Sequence, residues 1–178
     1  KFTVEQPVTL NPVRLSEPDS AALVEEVIKF ADAVRSGQPA TLDLSIPELN
    51  TLLHIAPDTG YGKFTELIAF KAAQPEEQFL VADVCLPLNK MKFWEGQRYA
   101  AGEAEFKPDI VAEAGADMKL VSLTVPGKEV EPKFVEALGG WHWLTPYQKL
   151  EKFTPVFKAI TKVEVTSGGI TLTAEGKP

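Results

Sequence analysis

The chain has 178 residues, 44% of them hydrophobic and 24% charged, with 25 acidic against 18 basic side chains and a net charge of −7. That is the make-up of a globular protein with one core, too short for two comfortable domains, and no apolar run approaches the ~20 residues a membrane span needs. The negative balance opposes the phosphate neutralisation that carries nucleic-acid affinity, and it disfavours anionic membrane surfaces by the same sign. Residues 1–178 therefore read as a single domain, with 1–15 an extended lead-in bearing Pro7 and Pro12. The lone Cys85 has no intrachain disulfide partner and lies in an apolar run, the setting of a small core residue rather than a nucleophile. The chain begins at Lys1, not Met, so a removed signal peptide or N-terminal anchor, with membrane proximity through it, is one expectation.

Ser16-Glu17-Pro18-Asp19 opens a helix of about five turns whose stripe is Leu23, Val27, Phe30, Ala31 and Val34, ending at Gly37 as a left-handed cap. Next, Leu42 and Leu44 alternate with Thr41, Asp43 and Ser45 as in a strand with one buried face. From Ser45 the period becomes helical: Ser45 and Glu48 form a capping box, Pro47 suits the first turn, and Leu49, Leu52 and Leu53 share a face. Residues 57–62 are turn-rich. Phe64 to Ala73 reads as a strand, Gln74-Pro75-Glu76-Glu77 as a turn with proline second, and Phe79 to Leu88 as a returning strand apolar on both faces except Asp83.

Residues 89–97 read as loop. In the strand from Tyr99, Ala104 and Phe106 face one way and Glu103, Glu105 and Lys107 the other, and Pro108, which lacks a ladder donor, puts the strand at an edge or breaks it there. Met118 to Val125 is a further strand, followed by a type II turn at Val125-Pro126-Gly127-Lys128. Pro132 starts a short helix with Phe134, Val135 and Leu138 inward, stopped by Gly139-Gly140. If Trp141-His142-Trp143 is extended, both indoles fall on one side and His142 on the other. Pro155 divides the following apolar pattern into two short helices, with Thr154 capping the second. At the end a two-residue Gly168-Gly169 loop pairs Val165 with Leu172, Val163 with Ala174 and Lys162 with Glu175, turning Val163, Val165, Leu172 and Ala174 to the core.

The long helix, the Leu44-Ser45-Ile46-Pro47-Glu48-Leu49-Asn50 strand-to-helix switch, the Leu123-Thr124-Val125-Pro126-Gly127-Lys128 turn and the closing 160–172 hairpin resemble bacterial extracytoplasmic proteins related to the tubular lipid-binding (TULIP) superfamily. The resemblance implies an α+β fold in which a strongly curved antiparallel sheet wraps a long amphipathic helix, with short helices added. It also implies an apolar groove for a lipid-like ligand and an extracytoplasmic location. The chain spans about one repeat of that superfamily, so a two-barrel transfer tube is not implied.

Catalytic sets are thin. A nucleophile triad needs a base, and of the two histidines His54 sits where it caps a helix C-terminus while His142 stands between tryptophans. Two histidines and one cysteine without ligand spacing make no metal site, and the Glu76-Glu77 and Glu103/Glu105 pairs read as solvated surface. We therefore expect no enzyme, metal or cofactor. Trp141 and Trp143 are the cluster to follow: they plug the core, edge an apolar groove, or anchor at a membrane interface. Two readings stand. In one, the protein carries an apolar small molecule in a groove lined by Leu52, Leu53, Phe134, Leu138, Trp141 and Trp143. In the other, it is a structural or protein-interaction module whose own side chains fill that space.

Overall fold

Ser16 and Ser45 start the two helices the sequence marks most plainly, and in the computed structural model, which describes residues 1–177, both hydroxyls accept a backbone N–H of the first turn. Among the described residues the order is α1 (Glu17–Arg35), β1 (Ala40–Ser45), α2 (Ile46–Ile55), α3 (Phe64–Leu67), β2 (Ile68–Gln74), β3 (Phe79–Pro87) and β4 (Tyr99–Val111). Then come β5 (Gly115–Thr124), α4 (Pro132–Gly139), α5 (Thr145–Gln148), α6 (Thr154–Ala159), β6 (Ile160–Val165) and β7 (Gly169–Ala174). The fold is α+β. The single, strongly curved sheet around the long helix is corrected: there are two antiparallel sheets, β2-β3-β4-β5 and β1-β7-β6, neither strongly curled. Residues 125–159 are spent on a turn and on α4, α5 and α6, so β6 does not follow β5 as a hairpin neighbour and pairs with β7 instead. The helix α1 lies along β1 and α6, with Leu23, Phe30, Ala31 and Val34 buried and Gly37 left-handed after its end.

Other local differences have physical causes. Phe64 and Leu67 are both buried at a spacing of three, and one helical turn satisfies that spacing where a strand does not; β2 therefore starts at Ile68. Gln78 N–H donates to the Pro75 carbonyl, so proline occupies the first place of that turn and Gln78 takes a left-handed φ of 59°. Pro108 lies beyond the last β3 pair, Leu80 with Phe106, where β4 is itself an edge. Thr154 does not cap α6 from outside; its hydroxyl donates backwards to the Gln148 and Leu150 carbonyls.

In the closing hairpin Val165 faces Ile170 and Val163 faces Leu172, with the turn on Ser167-Gly168. The expected pairing of Val165 with Leu172 is thus off by two residues, a shift that leaves Val163, Val165, Leu172 and Ala174 on one face. The second glycine is inside the strand because β1 passes against it: a Cβ on Gly169 would sit 1.9 Å from the Leu44 carbonyl oxygen. Gly169 serves close approach, not the turn.

The helix α2 packs its leucine face on the core only in part and buries a polar face more deeply. Leu49, Leu52 and Leu53 are half-buried, whereas Asn50 and Thr51 are 1% and 2% exposed. Asn50 Oδ1 accepts the Phe70 N–H (2.9 Å), and its Nδ2 donates to the carbonyls of Phe70 (2.8 Å) and Val13 (3.0 Å). A side-chain amide thereby occupies the ladder position beside edge strand β2 and satisfies groups that would otherwise be buried unpaired. Thr51 Oγ1 donates to the Pro47 carbonyl and accepts the Leu15 N–H, tying the lead-in to the same helix. At the other sheet Gln78 does likewise for β6, accepting the Val165 N–H (2.8 Å) and donating to the Val165 carbonyl (3.0 Å).

Candidate functional site

The stretch after α4 is placed by one buried carboxylate. Asp117, in β5, is 4% exposed; its Oδ1 accepts the N–H groups of Met118 (2.8 Å) and Leu144 (3.1 Å), and its Oδ2 lies 2.9 Å from His142 Nδ1. An unpartnered charge at that depth would cost several kcal/mol, about as much as breaking a buried pair, so these three donors are what allow the carboxylate to stay. They pin residues 142–144 to β5. His142 faces out, its side chain 61% exposed, and the flanking indoles turn inward as the extended reading predicts.

The indoles join a continuous aromatic chain. Trp143 is fully buried and meets Phe106 edge-on at 5.6 Å; Trp141 is half-buried, with centroids 6.4 Å from Trp143, 5.5 Å from Tyr61 and 5.8 Å from Phe93. Phe93 in turn meets Phe134 at 5.7 Å, and Phe134 meets Phe2 at 4.9 Å. All of these separations fall in the range where tilted and edge-to-face pairs are favourable by roughly 0.5–1.5 kcal/mol each. Leu138 beneath them is fully buried, and its carbonyl accepts the Trp141 N–H at 3.0 Å. Both indole Nε1 atoms are buried without a hydrogen-bond acceptor in the described structure.

Of the six lining residues expected for a groove, Phe134, Leu138, Trp141 and Trp143 come together, whereas Leu52 and Leu53 sit on α2, which packs on β1, β2 and α3. The partners the sequence reading missed are Asp117, Tyr61 and Phe93. Asp117 stands 25 residues from His142 and is flanked by Ala116 and Met118, so no local pattern marks it. Burial pushes the Tyr61 phenol up, and the Asp117 charge adds to the rise. Burial likewise takes Tyr147 up to about 12; its hydroxyl donates to the Pro57 carbonyl at 2.7 Å.

The Asp117–His142 pair orients an imidazole, but catalysis of the triad type also needs a nucleophile hydrogen-bonded to that ring, and among the described residues the His142 ring bonds only to Asp117. No three His, Cys, Asp or Glu side chains there gather as a metal site would require. A concavity lies elsewhere, at the far end of the β4–β5 hairpin: a groove of about 610 Å³ between Ile110, Val111 and Glu113 on one side and Lys158, Ile160 and Thr161 on the other. No helix among the described residues is long and apolar enough to cross a membrane. Comparison of the chain with protein-family models, with curated proteins and with solved structures gave no match.

Proposed function

We propose that the protein is a non-catalytic protein-interaction module whose core is filled by its own side chains. The observation that supports this reading is the occupancy of the place assigned to a ligand: Leu138 and Trp143 are both fully buried, and Trp141 is wedged between Tyr61, Phe93 and Trp143. Tails of a lipid would have to displace that aromatic chain, giving up its pair contacts and its buried area.

The deciding experiment is Leu138→Trp. In a filled core the larger side chain is overpacked and costs about 1–3 kcal/mol, read as a lower midpoint in urea. An open groove would take it without loss, and unchanged stability would overturn the reading. Organic extracts of the purified protein should hold no stoichiometric lipid, and a panel of fatty acids and phospholipids should leave Tm unmoved.

A second reading, an extracytoplasmic carrier of an apolar small molecule related to the tubular lipid-binding proteins, draws on the 610 Å³ groove beside Ile110, whose size suits a small ligand and whose isoleucine is 42% exposed. A lipid-dependent rise in Tm that Ile110→Lys abolishes would favour it.

A further inference from the structure

Cys85 is 2% exposed, yet it is not part of the hydrophobic core cluster. Along β3 the residues Leu80, Ala82, Val84 and Leu86 enter that core, so the alternation turns Cys85 to the opposite face of the sheet. The lead-in reaches it there: the Val8 N–H donates to Cys85 Sγ at 3.3 Å. A thiol is a weak acceptor, and this is the only hydrogen bond the described structure gives residues 6–12. Glu5 adds an ion pair to Arg98 at 3.5 Å with its own side chain 75% exposed. Residues 5–9 are exposed, Val8 itself to 49%.

The two ends of this segment are held quite differently from its middle. Upstream, Val4 and Tyr99 exchange two backbone hydrogen bonds of 2.9 and 2.8 Å, and Phe2 is buried against Phe134. Downstream, the Val13 carbonyl and the Leu15 N–H are taken by Asn50 and Thr51. A stretch with few buried contacts between two firm ties belongs to the low end of a protein's range of local stability.

We propose that residues 5–12 are a displaceable strap, and that the strip of β3 beneath it, around Cys85, is a binding surface for an extended peptide segment, filled here by the chain's own strap. The strap states the chemistry of its replacement: Pro7-Val8-Thr9-Leu10-Asn11-Pro12 is uncharged, rich in β-branched and apolar side chains, and bounded by prolines that keep it extended. The exchange of segments rests on the interaction-module reading; the opening of the strap does not.

Cys85 is the chain's only cysteine, so its modification by a thiol reagent reports the opening directly in the whole, unmodified protein. Labelling is followed against urea concentration and compared with global unfolding measured in parallel. The strap predicts labelling at least about tenfold faster than global unfolding allows, with little dependence on urea until the unfolding transition. Phe2→Ala, which releases one tie, should raise the rate further, and a synthetic peptide of residues 1–15 added in excess should lower it again. Labelling that follows the global unfolding line at every urea concentration would overturn the strap. Fast local labelling that the peptide leaves unslowed would overturn the binding surface, while the Leu138→Trp result would still decide the interaction-module reading by itself.

Discussion

The outer strands β2 and β6 each end a sheet, and each meets a carboxamide instead of another strand. Asn50 and Gln78 make the same set of bonds: one backbone N–H accepted, the carbonyl of the same residue answered, and a second carbonyl held alongside, Val13 for Asn50 and Pro75 for Gln78. They differ in burial. Asn50 is 1% exposed on the inner face of a helix, whereas Gln78 sits half-buried in a turn. Equal hydrogen bonding thus carries unequal weight, because water can replace the lost partner only where it can reach.

That difference predicts its own failure modes. Asn50→Leu keeps the branched shape and leaves the Phe70 amide and carbonyl stranded, so it should cost about 3–5 kcal/mol by chemical denaturation, the largest effect in this group. A loss below about 1 kcal/mol would show that water reaches the β2 edge and would remove the contrast.

Alkaline pH loads one side of the comparison. None of the three tyrosines lies in the three-stranded sheet, and both Tyr61 and Tyr147 are raised by burial. A phenol that ionises near 10 when unfolded and at about 12 in the native protein contributes stability that is complete below pH 10 and is lost as pH rises toward 12. The slope approaches about 1.4 kcal/mol per pH unit for each such group, so urea midpoints should fall between pH 10 and 12, and Tyr147→Phe should flatten that fall. Amide exchange should then quicken in β2–β5 before β6–β7.

Gln78→Ala should cost only about 1 kcal/mol, since Val165 regains water in exchange. Gln78→Gly should cost less still, because φ at that position is 59° and glycine adopts it freely. If alanine proved the milder of the two, the turn geometry would not be what limits the site.

The parts of the chain legible from sequence are those whose signals are local. The Ser45/Glu48 box, the Gly37 stop and the Pro126-Gly127 turn each involve residues within a few positions of one another, and each is formed. The alternation at Trp141-His142-Trp143 could be read for the same reason. What was not legible depends on partners far along the chain. The buried face of α2 is polar because Phe70 and Val13 need its amide, the hairpin register follows from Leu44 passing over Gly169, and Asp117 is known as the keeper of the indoles only once His142 is beside it. Likewise, two sheets cannot be told from one by the period of their strands, since both show the same two-residue repeat.

The pairing of β1 with β7 also sets a timetable. Ala40 lies opposite Ala174, so β1 finds its ladder partner only after all the strands between them have been made. The hairpins β2–β3, β3–β4 and β4–β5 are local by comparison and can close as they emerge. Until Gly169 to Ala174 arrives, β1 is a strand with no ladder partner on either side, the kind of edge that recruits other chains. Its Asp43, which in the finished protein accepts from the Thr171 hydroxyl, is then a lone charge in the strand, and charge on an open edge is what discourages such recruitment while the chain waits.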